Sequence, residues 1–485
     1  MSRRPVLVVG AGVTGLCTAI FLARQGIPVE IWEASEQPGG LLCPVPFAGT
    51  PCDLGSHRVH GDALPLLQAA APSLPWAQRP RNGRLIFSDD GRDTPPAPRT
   101  PPFDQRPTAG RQARPRHVPY PLQLQGFLQG LGPRLSARFG VSFLRREASL
   151  RKFLRWEADR AVKATHADDE HHDPGFEHFV RERVGHAAYE AFYQPYVEKV
   201  WGLPAQAISK TVAKKRVSTA QPMAVLRGAL RATLKRHRDP AATFLYPPQG
   251  IGSLIDALCA EATTLGVRLH LGRRFDASSV DPAYRVVYTG HVSDLLPDDA
   301  AACFGHRGLY LIFLAFPTRT MGCVDTYYAP GRRLWFGRVS VPNHFAPGLI
   351  RGMQTLLCAE IPEGTWAKGQ DFTQPDYLAE LLRQLHWAGI LTQPSLQPSA
   401  VAQRFLPRVY PLYQRGWLAH WRRELQGLAR HRSVFPAGRQ GLFLHCNIDH
   451  CVQIAKDVSQ HLLRDGNSLD WIARCDSYLD VRVRD

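Results

Sequence analysis

The sequence predicts an α/β protein whose principal sheet is assembled from separated stretches of chain. Three observations carry that prediction. The first forty residues read strand, glycine turn, helix, strand; the same punctuation returns near 246–295; and it returns once more at the C-terminal end. The segments between have a different character, which is the pattern of one domain interrupted by another.

Taken in order, "PVLVVG" (5–10) is a continuous apolar run of strand length, "VTGLCTAIFLARQG" (13–26) is a helix closed by Gly26, and "PVEIWEA" (28–34) is a second strand. Glycines interrupt the opening apolar run early, so it reads as a first strand and not as a signal peptide. From 88 to 116 the chain is rich in Pro and Arg and almost without apolar residues, the composition of a flexible insertion. Helical patterns dominate 122–235. Among them Phe176, Phe179, Val180, Val184, Ala187, Ala188 and Ala191 fall mostly at spacings of three and four, as one buried face requires. Asp173 caps that helix, Pro174 occupies its first turn, and Gly202 and Pro204 stop it. "YPPQGIGSLIDALCAEATTLGVRLHLG" (246–272) is a glycine turn, a helix and a strand. Strand-like runs with short helices fill 305–420, including the buried strand "GLYLIFLAF" (308–316), and "GLFLHCNIDHCVQIAKDVSQHLL" (441–463) is a strand leading into a helix.

Bulk properties narrow the function classes. At 485 residues the chain predicts two or three lobes. No window approaches the roughly 18–20 consecutive apolar residues of a membrane span, and a cytoplasmic protein is expected. Ten cysteines are scattered without a C-x-x-C pair, so neither a zinc knuckle nor a disulfide framework is signalled. The net charge of +17 comes from arginines spread along the whole chain. With no helix-turn-helix, zinc-finger or RNA-binding signature, no nucleic-acid partner is expected. The stretch "HADDEHHD" (166–173) is the most metal-like, yet it precedes a helix and reads as a solvated connector. His57 and His60 lack a third ligand at suitable spacing, so no metal is expected.

Gly10, Gly12 and Gly15 form G-x-G-x-x-G directly between a strand and a helix. The first glycine permits the tight turn, the second lets the backbone approach a pyrophosphate, and the third lets helix and strand pack closely. Free N–H groups at the helix start face the anion. Glu33 ends the second strand, where a carboxylate reaches ribose hydroxyls. Gly39 and Gly40 permit a second close approach. Strand, glycines, helix, strand and acid agree on dinucleotide binding.

From this point the chain resembles the flavin amine oxidase and protoporphyrinogen oxidase superfamily, which includes phytoene desaturases and UDP-galactopyranose mutases. The resemblance rests on "GGLL" (39–42), "CDLGSHRVH" (52–60), "YQPYVEKVWGLP" (193–204), "YPPQGIGSLIDAL" (246–258) and "AGRQGLFLHCNIDHCVQIA" (437–455), five ordered segments covering nearly the whole chain. It implies bound FAD and a GR2-type FAD-binding Rossmann-like domain, interleaved with a mixed-sheet substrate domain and a helical subdomain. The expected division is 1–87, 243–300 and 431–485 for the FAD-binding domain, 88–116 for the insertion, 117–242 for the helical subdomain and part of the substrate domain, and 301–430 for the rest of the latter. Expected cofactor residues are Gly10, Gly12, Val13, Thr14, Gly15, Glu33, Ala34, Gly39, Gly40, Leu41, Gly55, Ser56, His57, Arg58, Phe275, Gly438, Arg439, Asn447, Ile448 and Asp449. The last three open a helix facing the flavin pyrimidine, with Asp449 read as its cap. Arg439 is expected near the pyrophosphate.

His57 is the candidate for tuning the flavin or touching substrate, and Arg58 for anchoring cofactor or loop. Tyr193, Tyr196, Lys199, Trp201, Arg338, Tyr410 and Tyr413 are candidate substrate residues. Tyr189, Tyr193 and Tyr196 share one helix face, which core packing alone would also explain. The implied activity is hydride removal from a C–N or C–C unit of a small-molecule substrate, with the flavin reoxidised by O2 or another acceptor. The alternatives are a redox-neutral mutase-like isomerase and a non-catalytic flavoprotein subunit. Against the mutase, the positions matching its two diphosphate-holding tyrosines read as Phe443 and Cys446, without phenol hydroxyls. The basic helical subdomain leaves room for peripheral membrane contact, though no amphipathic stripe compels it.

Overall fold

The structure, a computed structural model, describes residues 4–88, 115–120, 137–138, 141–142, 173–216, 243–318, 322–350, 352–364, 368–431 and 434–483. Most of the expected insertion, the "HADDEHH" stretch and much of the helical pattern of 122–235 lie outside the described residues.

A five-stranded parallel sheet carries the first strand, Val6–Val9, at its centre. Its order is Val434–Pro436, Arg285–Tyr288, Val6–Val9, Val29–Trp32, Arg268–His270. Val6 sits opposite Val29 on one side and Arg285 on the other. The central strand is buried at every residue, which explains why it reads as an unbroken apolar run instead of an alternating one. Helix Val13–Ala23 packs against helices Gly252–Thr264 and Ile448–Leu463. Strands far apart in sequence thus build one sheet.

The second sheet has seven strands in the order Ala400–Pro411, His306–Phe316, Thr355–Pro362, Arg338–Ser340, Thr326–Tyr328, Gly83–Ser88, Pro115–Tyr120. Its pairs are antiparallel except Thr326–Tyr328 against Gly83–Ser88. Along His306–Phe316, Tyr310, Ile312, Leu314 and Phe316 pack into one apolar cluster with Leu381 and Leu385 of helix Pro375–Trp387. Leu309, Leu311, Phe313 and Ala315 join another on the opposite face, with Phe47 and Leu356. Period-two alternation therefore feeds two cores, and the strand is apolar throughout.

Four local expectations differ from the structure. The long helix after Pro174 is broken: Gly175–Val184 ends at Gly185, whose φ of +82° an L-residue rarely adopts, and the chain resumes through a π-helical turn, Tyr189–Tyr193, into Gln194–Trp201. The N-cap of Gly175–Val184 is Pro174, not Asp173, which lies one residue earlier and accepts from the Gly175 N–H at 2.9 Å and the Lys210 N–H at 3.0 Å. The stretch 441–446 is a turn, not a strand; the strand lies upstream at Val434–Pro436. Residues 115 and 116, placed in the insertion, instead begin the edge strand Pro115–Tyr120.

Candidate functional site

A cavity of about 800 Å³ opens where the C-terminal ends of strands Val6–Val9, Val29–Trp32 and Arg285–Tyr288 meet the seven-stranded sheet. At one end the backbone turns through Gly10–Gly12 into the first helix. Gly10 has φ of +99°, and a Cβ there would lie 2.4 Å from Thr289 Oγ1. A Cβ on Gly15 would lie 1.9 Å from Gly10 O, so this glycine serves helix–strand contact. Gly12 is different: its φ is −78° and a Cβ would meet nothing within 4 Å. Its missing side chain leaves open space in the cavity wall.

Glu33 reaches back to this turn. One carboxylate oxygen accepts from the Ala11 N–H at 2.7 Å and the other from the Ser35 N–H at 2.9 Å. Gly39 and Gly40, at φ of +120° and +56°, bring the next loop alongside, and the Gly39 N–H donates to Ala11 O. Arg273 lies over the Trp32 ring, 3.6 Å from its centroid.

The loop 51–62 is pinned at two points. Asp53 accepts from the Tyr246 hydroxyl and the Ile251 N–H, and burial pushes its carboxyl up from the ordinary value. Arg58 donates to Tyr328 Oη at 2.9 Å, Asp325 Oδ1 at 2.5 Å and Thr326 Oγ1 at 2.6 Å, and sits between the Phe244 and Phe345 rings. Between these anchors Ser56 and His57 run along the cavity. His57 Nε2 donates to Leu54 O at 3.1 Å, which fixes Nε2 as the protonated nitrogen of the neutral ring. Burial, then the charge of Arg338, lower its pKa to about 4. His57 is a neutral imidazole at physiological pH.

Opposite lies an ion pair between the half-buried Arg338 and the buried Glu360, Arg338 Nε to Glu360 Oε1 at 2.7 Å. Gly55, at φ of +96°, lets the loop approach it: a Cβ would fall 2.8 Å from Glu360 Oε1. Tyr410 stacks on His445 at 5.8 Å. The two His445 ring nitrogens face Arg216 Nη2 at 2.7 Å and Arg439 Nη2 at 3.2 Å. Burial and those two guanidinium groups hold His445 well below its ordinary pKa. Arg439 also donates to Cys446 O and Val409 O, both at 2.8 Å, so it fastens the C-terminal turn. The inner end, around Tyr410, is strongly positive: Arg216, Arg338 and Arg439 line it together with one carboxylate, Glu360, which pairs with Arg338.

Of the expected cofactor residues, Gly10, Gly12, Val13, Thr14, Glu33, Ala34, Gly39, Gly40, Leu41, Ser56, His57, Arg58, Phe275, Arg439, Asn447 and Ile448 line this one cavity. Gly15, Gly55, Gly438 and Asp449 do not line it. Gly438, at φ of +75°, leaves room for Thr14, whose Oγ1 a Cβ would approach to 2.5 Å. The cap of helix Ile448–Leu463 is Asn447, completed by His450, whose Nδ1 accepts from the Asn447 N–H; Asp449 is a first-turn residue, which corrects its reading as the cap.

Of the substrate candidates, Arg338 and Tyr410 line the cavity, and Tyr193, Tyr196, Lys199, Trp201 and Tyr413 do not. Tyr196 stacks on Phe192, and Tyr193 lies edge-on to the same ring, within the helical packing. Lys199 Nζ donates to Ala329 O and Phe336 O, tying its helix to the second sheet. Trp201 is buried behind Tyr410 and His445. The Tyr413 hydroxyl donates to Phe443 O at 2.9 Å and accepts from the His445 N–H at 2.7 Å, so it is spent on the backbone. Phe443 is buried outside the cavity, whereas Cys446 lines it. Sequence reasoning missed Glu360, Arg216 and His445. Glu360 had a signal, a lone acid inside the wholly buried strand Thr355–Pro362; Arg216 and His445 had none.

A parallel sheet with a glycine turn at its C-terminal edge, opening on a long mixed-character cavity, defines a dinucleotide-dependent enzyme, and the chain is an FAD-dependent oxidoreductase. It belongs to the flavin-containing amine oxidoreductase family, whose family model matches residues 13–288. The fold is similar to that of a reduced UDP-galactopyranose mutase, with a TM-score of 0.74 at 17% identity over 100% of this chain and 98% of the other. It is also similar to a structure described as a protoporphyrinogen oxidase from Exiguobacterium sp. 255-15, with a TM-score of 0.63 at 17% identity over 96% and 100%. A putrescine oxidase bound to putrescine gives 0.56 at 14% identity over 95% and 99%. In sequence, hydroxyneurosporene desaturase from Cereibacter sphaeroides is 50% identical over 50 residues, 10% of either chain. The matched stretch thus spans about a tenth of the length of that curated relative. Among the described residues no helix is long and apolar enough to cross a membrane.

Proposed function

We propose that the cavity holds FAD along its length and that a small, anion-bearing substrate enters at the inner end. The observation that carries the cofactor assignment is Gly12, which has no steric or conformational reason to lack a side chain except what occupies the space beyond it. Gly12, Val13 and Thr14 at the helix start, with Gly39, Gly40 and Leu41, would hold the pyrophosphate. Glu33, Ala34 and Phe275 would border the adenosine. Ser56–His57 and the Asn447–Ile448 helix start would flank the isoalloxazine, the helix dipole favouring negative charge there. When bound, FAD supplies the hydride acceptor.

The chain's own residues then position and exclude. The Arg338 guanidinium, held by Glu360, and Arg216 would orient an anionic group of the substrate. Tyr410 and the neutral His57 offer an apolar face with one acceptor nitrogen, Nδ1. His57 at a pKa of about 4 remains an unprotonated imidazole at neutral pH, suited to receiving a hydrogen bond and not to carrying charge. The reaction is hydride removal from a C–N or C–C unit, with reoxidation by O2 or another acceptor.

The test is anaerobic mixing of the FAD-loaded protein with candidate amines, prenyl chains and anionic metabolites. Bleaching of the flavin band by substrate, with recovery in air, is the expected result. One observation favours a second reading, a redox-neutral mutase-like isomerisation: Arg216 and Arg338 share the inner end with Tyr410 and could clamp a diphosphate. Turnover of a nucleotide sugar only after pre-reduction, with no net bleaching, would establish that reading instead.

A further inference from the structure

Two cysteines of the cavity wall have no part in the reading above. Cys446 and Cys451 are five residues apart, on either side of the Asn447 cap, and their sulfurs lie 3.8 Å from each other. Both line the cavity, between Thr14 and Arg439. Cys451 sits in the first turn of helix Ile448–Leu463, where backbone N–H groups and the helix dipole favour a thiolate. The hydrogen bond from Cys446, then Thr14 and the more distant Arg439 charge, hold the Cys451 thiol below its ordinary pKa against the cost of burial, while that same bond and burial push Cys446 up. A nucleophilic thiol beside a protonated one is the arrangement of an attacking and a resolving cysteine.

We propose that Cys446 and Cys451 are a redox-modification site that closes to an intramolecular disulfide when a peroxide reaches the cofactor-free cavity. In the first step the Cys451 thiolate attacks one peroxide oxygen, the O–O bond breaks, and hydroxide leaves as water after taking a proton, giving a sulfenic acid. In the second, the Cys446 sulfur displaces the sulfenic oxygen; the S–S bond forms and a second water leaves. Two thiols and one hydrogen peroxide thus give one disulfide and two waters. The sulfurs need only about 1.7 Å of closure, from 3.8 Å to the ordinary bond length near 2.05 Å. The ring so closed spans Asn447, Ile448, Asp449 and His450, the cap and first turn of the helix, of which Asn447 and Ile448 border the cavity. Bound FAD would cover both sulfurs, so loading protects them; that clause rests on the cofactor reading above.

The experiment treats FAD-free and FAD-loaded protein with one equivalent of hydrogen peroxide, blocks remaining thiols with iodoacetamide, and maps disulfides by mass spectrometry. The expected result is a Cys446–Cys451 link in the FAD-free protein, reversed by dithiothreitol and reduced at least tenfold by FAD loading. In Cys446→Ser, Cys451 should be trapped by dimedone as the sulfenic acid. A link from Cys451 to Cys17, a buried free cysteine of the first helix close enough to feel the Cys451 charge, or no link at all, would overturn the assignment. Equal linkage with and without FAD, where flavin absorbance shows loading, would overturn the shielding; absence of flavin absorbance would count against the cofactor reading alone.

Discussion

Arg58 and Asp325, 267 positions apart, form an ion pair at 2.5 Å with side chains 3% and 1% exposed. The pair fastens the loop that borders the cavity to the strand Thr326–Tyr328 of the second sheet. Asp325 also accepts from the Asn82 N–H, so one carboxylate joins three segments. Replacing Arg58 by Met should cost about 3–5 kcal/mol, because it leaves a buried carboxylate without its counter-charge. Adding Asp325→Asn should recover part of that loss, since the charge is gone while Asn82 keeps an acceptor. Urea unfolding of the FAD-free variants reads both; a single variant as stable as the parent would refute the anchoring role.

The glycine turn separates into structural and ligand-facing positions. Gly12→Val should leave unfolding free energy within about 0.5 kcal/mol of the parent, because its Cβ meets nothing and its φ suits any residue. The same variant should purify without flavin. Gly15→Ala should instead reduce the yield of folded protein, its Cβ falling 1.9 Å from Gly10 O. Circular dichroism with the visible flavin band checks the pair. A yellow Gly12→Val protein would remove the cofactor assignment.

Local pattern made the first sheet legible: the apolar strand, the three glycines and Glu33 lie within 33 residues and their physics is short-range. The buried "LYLIFLAF" strand was equally plain. What sequence could not supply were partners chosen by the second sheet. Arg58 reads the same whether it meets a phosphate or Asp325, and only the docking of Thr326–Tyr328 decides. Lys199, expected at the site from the segment "YQPYVEKVWGLP", and Tyr413, expected there from "RVYPLY" (408–413), both satisfy backbone groups that no local pattern reveals. Gly185 carried a visible signal within the helix that the 3–4 spacing around it outweighed.

Tyr413→Phe tests one such structural assignment. It would leave the His445 N–H without its acceptor inside the protein, which costs about 1–3 kcal/mol. Substrate affinity should change less than twofold, since the hydroxyl does not reach the cavity. Thermal unfolding and steady-state kinetics distinguish the two effects. A large rise in KM at unchanged stability would return Tyr413 to the substrate site.

His57 predicts a direction for stability against pH. Its folded pKa of about 4 lies below the ordinary 6.5, so between those values the unfolded state binds more protons. Stability therefore rises with pH through that window and is lost as pH falls from 6.5 toward 4. His291, also near 4, and His306, near 3, act in the same sense. Each can contribute at most about 1.4 kcal/mol per pH unit, less where solvent reaches the ring. His57→Gln should shrink the difference between urea midpoints at pH 7 and pH 5. An identical difference in parent and variant would show that His57 is solvated.

Arg338 is where the substrate reading is most exposed to test. Its guanidinium is held by Glu360 through Nε, which leaves the terminal nitrogens directed by a fixed fork. Lysine retains the charge but not the fork, so Arg338→Lys should raise KM for an anionic substrate by about 10- to 100-fold, the equivalent of one charge-assisted hydrogen bond. Glu360→Gln keeps an acceptor for Nε while removing the charge that orients the arginine. Its KM should rise less than that of Arg338→Lys, and flavin content should be unchanged in both. Neutral substrate analogues provide the control: an arginine that serves only the sheet would alter their KM as much as that of the anion, whereas a substrate-facing arginine leaves it unmoved.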